Sequence, residues 1–297
     1  MEPDPLFTLR NHFFLGNYQM AINEGSTLHL VSDVSKMERD AYVYRSYIAV
    51  GQAQVVLDEV KDSSSTPIDL AAVKLLATYT SNPAAREVAV STVAEWLAES
   101  ETGSNHTLQL IASTVYLHEE NYADALRACV CYLTPFLPRL AQAVQICLKL
   151  NRLDLVETHV KKMQVLDDES TLTQLATAWF NLAQGGDKYL EAAYLFQEQI
   201  DKFGASVVLL NGLASAKICL GLYDEAEKLL IDAIGKSAND PDTLVNLICC
   251  AQHSGKPAEF VQRYVNQLKR SNPTHPATQR LEQLESMFDR AAAQHAM

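Results

Sequence analysis

A 34-residue recurrence constrains this chain more than any other feature. Leu210, Leu213, Gly221 and Leu230 are followed 34 residues later by Leu244, Leu247, Gly255 and Tyr264. That period belongs to a unit of two antiparallel helices of the tetratricopeptide kind. In LLNGLASAKICLGLYDEAEKLLIDAIGK (209–236), Leu213-Ala214 takes the place of the motif's Leu-Gly/Ala pair and Gly221-x-Tyr223 makes the turn. Ala226, Leu230 and Ala233 supply the small–large–small row of the second helix. Ala192 and Phe196 precede Ala226 and Leu230 by the same 34 residues, across a longer Gly185-Gly186 turn. Near the other end, FLGNYQMAINE (14–24) repeats the turn with Gly16, Tyr18 and Ala21, and Gly51 follows Gly16 by 35. Weaker units turn near Asn82, Asn121 and Asn151.

The residue types follow from the geometry. Glycine accepts the left-handed conformation that ends a first helix. Small residues such as Ala214 and Ala226 let two helices approach. A single pair cannot bury its own apolar face, so units must stack, and a stacked core can grow past the size of one compact domain. The expected fold is therefore all-α: a single tetratricopeptide-like, right-handed helical-repeat solenoid over residues 1–297, with about eight helical pairs plus a terminal helix. The pairs fall near 3–30, 36–61, 66–99, 105–132, 138–166, 169–203, 206–236 and 240–270, with the terminal helix at 274–292. The best repeats are 169–203, 206–236 and 240–270. Thr66-Pro67 and Asn239-Asp240-Pro241 read as helix starts.

Composition narrows function. Hydrophobic residues make up 48% and charged residues 20%, enough apolar surface for a folded chain. The net charge of −12 opposes nucleic-acid or membrane-surface binding, which needs a basic footprint. The acidic excess lies upstream, since residues 256–297 carry six Lys/Arg against four Asp/Glu. The sequence shows neither a secretory signal nor an apolar run of spanning length, and the expected compartment is the cytoplasm, with reduced thiols.

No motif asks for catalysis. The six cysteines, Cys129, Cys131, Cys147, Cys219, Cys249 and Cys250, form no C-x-x-C and read as buried structural thiols. His118-Glu119-Glu120 opens like a zinc-protease motif but lacks the second histidine. Asp167-Asp168-Glu169 precedes a helix, where acidic groups satisfy free N–H groups. Gly185-Gly186 is not a phosphate loop. The expectation is no enzyme, no cofactor, no metal and no small-molecule substrate. Trp96 and Trp179 are expected in the core.

In such solenoids the first helix of each pair lines the inner side. The fifth, ninth and twelfth motif places of three consecutive units are Thr173, Thr177, Phe180; Asn211, Ser215, Ile218; and Val245, Cys249, Gln252. None is charged. A module gripping an acidic peptide tail would need Lys or Arg there, and an RNA-reading repeat a basic face. A neutral, partly apolar groove suits a docked protein element, with Phe180 as an inward-facing anchor.

Three segments carry a family resemblance: LKLNRLDLVETHVKKMQVLDDESTLTQLATAWFNLAQGGDKYLEAAYLFQEQIDK (148–202), TLVNLICCAQHSGKPAEFVQRYVNQLKRSNPTHP (243–276) and LFTLRNHFFLGNYQMAINE (6–24). They resemble the epsilon subunit of coatomer, the COPI vesicle coat, and the similarity runs over essentially the whole chain. The resemblance implies a non-enzymatic subunit that binds the C-terminal domain of the coatomer alpha subunit, within an alpha/beta-prime/epsilon subcomplex. It implies a solenoid curved like a bracelet around a protruding element of that partner. It implies peripheral recruitment to the cytosolic face of Golgi membranes and COPI vesicles through the coat, in Golgi-to-ER retrograde and intra-Golgi transport. The alternative is a generic cytosolic tetratricopeptide adaptor or co-chaperone.

Overall fold

The computed structural model describes residues 4–63, 65–99, 101–130 and 135–295. Seventeen α-helices make up nearly all of it, and no strand occurs among the described residues. The all-α reading holds. The chain divides into two compact units, 1–184 and 185–297.

The first unit contains α1 (Phe7–Phe14), α2 (Tyr18–Thr27), α3 (Asp33–Ala49), α4 (Ala53–Glu59), α5 (Ile68–Ser81) and α6 (Arg86–Ala98). It continues with α7 (His106–His118), α8 (Tyr122–Val130), α9 (Leu137–Lys149), α10 (Leu153–Asp167) and α11 (Thr171–Gln184). The second contains α12 (Lys188–Phe203), α13 (Val207–Cys219), α14 (Tyr223–Lys236), α15 (Pro241–His253), α16 (Ala258–Ser271) and α17 (Pro276–His295). These bounds lie within a few residues of the expected pairs.

One turn recurs along the chain. Gly16, Gly51, Glu120, Asn151, Gly221 and Gly255 all have positive φ, and each ends a first helix. The following N–H reaches back five residues in every case: Asn17 to the His12 carbonyl (2.8 Å), Gln52 to Tyr47 (2.8 Å), Asn121 to Tyr116 (2.9 Å), Arg152 to Cys147 (2.9 Å), Leu222 to Lys217 (2.9 Å) and Lys256 to Ala251 (3.0 Å). This is the Schellman closure, which satisfies carbonyls that the helix end leaves open. The turn near Asn82 differs. Asn82 has φ −124°, and its side-chain carbonyl accepts from the Ala84 N–H at 3.1 Å to start a short 3₁₀ turn before α6.

Of the two suggested helix starts, α5 begins after Pro67 without a side-chain cap, and α15 begins with one. Asp240 accepts from the Thr243 N–H at 2.9 Å, with Pro241 in the first turn. Asp167 accepts from the Ser170 N–H at 3.1 Å just before α11. Both remove an N–H that the helix itself cannot pair.

In the first unit the first helices pack in series, α3 on α5, α5 on α7, α7 on α9 and α9 on α11, with α1 against α3. Helix α11 then returns to α1. At that seam Thr171 Oγ1 donates to Asn11 Oδ1 at 2.8 Å, both residues buried. One buried polar cluster at the centre of the unit is hydrogen-bonded. Gln109, fully buried on α7, donates to the Gly103 carbonyl (2.8 Å) and accepts from the Arg139 guanidinium (2.7 Å). Such pairing removes the cost of burying polar atoms.

The second unit is built on the 34-residue period. Ala214, Ala226, Leu230, Leu244, Leu247, Cys250, Tyr264 and Leu268 form one buried cluster. Helix α17 docks by its first turn, where Thr278 is fully buried, and is exposed from Glu282 onward.

Candidate partner-binding face

The nine residues expected to face inward fall on α11, α13 and α15, and the structure treats the helices differently. Of the three expected positions on α11 only Thr177 is half-buried; its hydroxyl donates to the Thr173 carbonyl at 2.8 Å. Thr173 is fully buried, and Phe180 is 8% exposed. Phe180 belongs to a cluster with Leu140, Val144, Cys147, Val156, Val160, Met163 and Ala176. The expectation that Phe180 stands open as an anchor is corrected, and Thr173 is likewise inaccessible. The cause is α9 and α10 together, which both pack on α11 and cover the face that a more open stack would leave free.

The α13 and α15 positions are more accessible. Asn211, Ser215, Ile218, Val245 and Cys249 are half-buried, and Gln252 is exposed. Ile218 and Val245 lean on the core cluster. Asn211 organises a polar ladder between the two helices. Its amide donates to Thr243 Oγ1 (2.7 Å) and Asp240 Oδ2 (3.3 Å), and its carbonyl accepts from Asn246 Nδ2 (3.1 Å). Ser215 Oγ donates to the Asn211 backbone carbonyl at 2.8 Å. Asn211 therefore spends its hydrogen bonds on holding consecutive units together, and the remaining positions form a neutral surface.

Burial pushes the Cys129 thiol up to about 11 and holds Cys147 and Cys250 above the usual thiol value, so these sulfurs stay protonated. Cys131 lies outside the described residues. Among the described residues no group of His, Cys, Asp and Glu could hold a metal ion. Glu119 of the zinc-protease look-alike accepts from the Tyr79 hydroxyl at 2.6 Å, and burial lowers the pKa of His118. Trp96 and Trp179 are half-buried.

One accessible apolar feature had no place in the sequence expectation. Leu284, Met287 and Phe288 of α17 are 47%, 54% and 71% exposed. Their three-and-four spacing was the available signal.

Comparison with known proteins decides the family. The family described as "Coatomer epsilon subunit" matches residues 2–296. "Coatomer subunit epsilon-1" of Arabidopsis thaliana is 44% identical over 97% of this chain and 96% of its own length. The protein of the same description from Oryza sativa subsp. japonica is 45% identical over 98% of both chains. "Coatomer subunit epsilon" of Dictyostelium discoideum is 35% identical over 97% of this chain and 98% of its own. The chain belongs to the coatomer epsilon-subunit family.

The fold of this coatomer epsilon chain has relatives among solved structures. A tetratricopeptide repeat protein from Parabacteroides merdae superposes with TM-score 0.61 at 13% identity, covering 84% of this chain and 97% of that one. The crystal structure of the APC/C hetero-tetramer Cut9-Hcn1 gives 0.64 at 11% identity, covering 92% of this chain and 54% of that one. At such identities the likeness concerns fold alone, and it agrees with the tetratricopeptide-like reading. No helix among the described residues is long and apolar enough to cross a membrane.

Proposed function

We propose that this chain is a non-enzymatic structural subunit of the COPI coat that binds the C-terminal domain of the coatomer alpha subunit. The observation that carries the reading is the family match over residues 2–296. The neutral character of the accessible α13 and α15 positions supports a protein element as ligand, held by packing and neutral hydrogen bonds. The return of α11 to α1 supports a curved body suited to enclosing part of a partner. On this reading residues 1–297 act as one solenoid within an alpha/beta-prime/epsilon subcomplex. Its membrane association, on the cytosolic face of Golgi membranes and COPI vesicles, runs through coat partners, in retrograde and intra-Golgi transport.

Affinity purification of the tagged chain followed by mass spectrometry tests the reading. The expected result is a constant stoichiometric set of coatomer subunits with alpha among them, and direct binding of the purified alpha C-terminal domain. A varied set of clients without alpha would instead indicate a generic adaptor or co-chaperone.

A further inference from the structure

Helix α17 starts in the same way as α13 and α15. Ser206, Asp240 and His275 stand in one place before the three helices. Their carbonyls accept the N–H four residues on, from Leu210 (2.9 Å), Leu244 (3.1 Å) and Gln279 (3.1 Å). Three residues beyond each cap, Leu209, Thr243 and Thr278 are all fully buried. This fixes the register of α17 by geometry, with a step of 35 residues from α15 instead of 34.

Counted from those caps, the ninth place holds Ser215, Cys249 and then Leu284. The twelfth holds Ile218, Gln252 and then Met287, with Phe288 next. The ninth and twelfth rows of α13 and α15 therefore continue onto α17 as apolar residues, while the fifth row, Asn211 and Val245, reaches the exposed Arg280. The three apolar side chains are open to solvent, at 47%, 54% and 71% exposure. A contiguous apolar row left in water marks an interaction site. A helix segment with no packed face is also marginal by itself.

We propose that Leu284, Met287 and Phe288 form the apolar anchor for the alpha subunit, taking the role that buried Phe180 cannot fill. This rests on the reading of alpha as the partner. The occupant is a protein segment with a row of apolar side chains and basic residues along one flank. The flank is set by Glu282, Glu285 and Asp289, which stand together on one side of the row. Glu285 is held by Lys269 at 2.6 Å, while Glu282 and Asp289 have no ion pair among the described residues. The same acidic flank disfavours two other occupants. An anionic lipid surface would be repelled. A second copy lying antiparallel would bring the acidic flank against itself.

The test compares full-length wild type with Leu284→Glu/Phe288→Glu and with Asp289→Lys, by calorimetric titration against the alpha C-terminal domain. Circular dichroism checks helix content. The double variant is expected to remain helical and to lose at least about thirtyfold in affinity, as for a buried apolar anchor. Asp289→Lys leaves the apolar row intact and should weaken binding severalfold through the flank alone. Amides of 284–295 should exchange more slowly in the wild-type complex than in the free protein. If wild type itself fails to bind the alpha domain, the assigned partner is wrong. If wild type binds and the double variant binds equally well, the anchor is not on α17. A concentration-dependent dimer in light scattering that the double variant abolishes would give the row to a second copy. Phosphatidylserine vesicle binding lost in the same variant would give it to a membrane. Either result overturns the proposal.

Discussion

The Cα of Gly212 lies against the ring of Phe196. A Cβ placed on Gly212 would come within 2.6 Å of Phe196 Cζ, and Phe196 is itself fully buried. This contact joins α12 to α13, and it is possible because residue 212 has no side chain. Gly212→Ala should therefore destabilise, by about 1–3 kcal/mol as for an overpacked core, although alanine is the better helix former. Denaturant unfolding would detect it. An unchanged midpoint would mean that Phe196 has room to move.

Gly221 presents the opposite case. Its φ is +77°, and a side chain there would meet nothing within 4 Å. Any cost of substitution must then come from the backbone conformation. Gly221→Val should lower stability by about 1 kcal/mol or more, and Gly221→Asn by less, because asparagine tolerates the left-handed region. Equal melting midpoints for the valine, asparagine and wild-type proteins would refute the strain account.

Phe180 should behave as a core residue. Phe180→Ala should cost about 3–5 kcal/mol, and Phe180→Asp should unfold the α9–α11 region, since a charge would be buried among Val144, Val160 and Met163. The measurement is a thermal melt followed by circular dichroism. A fully stable Phe180→Asp protein would return this residue to the surface.

His159 supplies a pH dependence. It is 7% exposed, its Nδ1 has no hydrogen-bond partner among the described residues, and burial, then Lys162, lowers its pKa from 6.5. The unfolded chain thus binds the proton more readily than the folded one. The stabilising contribution is complete above about pH 6.5 and is lost as pH falls toward the lower folded value. Melting temperature should decline across that interval, and the decline should flatten in His159→Leu. Identical pH slopes for the two proteins would exclude His159 as the cause.

The helical pairs were legible because Gly16, Gly51, Gly221 and Gly255 mark their turns with a residue chosen for its backbone. The turns at Glu120 and Asn151 were weaker signals because those side chains also occur in ordinary helices, although the structure uses them at the same positive φ. On α13 and α15, where the 34-residue step is regular, the expected positions are at least partly accessible. The inner-face reading failed at Phe180, because motif counting fixes how a helix faces its own pair but not how closely the two helices of the preceding pair, α9 and α10, lie against it. The row on α17 was hidden by one extra residue, which moves Leu284 out of the 34-residue register and into a 35-residue one. The division at Gln184 left no composition shift to read.

The pairing of Asn11 with Thr171 spans 160 residues of sequence. An open array of repeats can lose its first unit at the expense of one interface, and it can fold outward from any point. Helix α1 instead meets α11 as well as α2 and α3, so deleting it also uncovers a surface on the last helix of the unit. Contacts of such long range slow folding, because the intervening chain must be ordered before they form. The first unit should consequently melt as one cooperative block, and the step that completes it must wait until α11 has been synthesised.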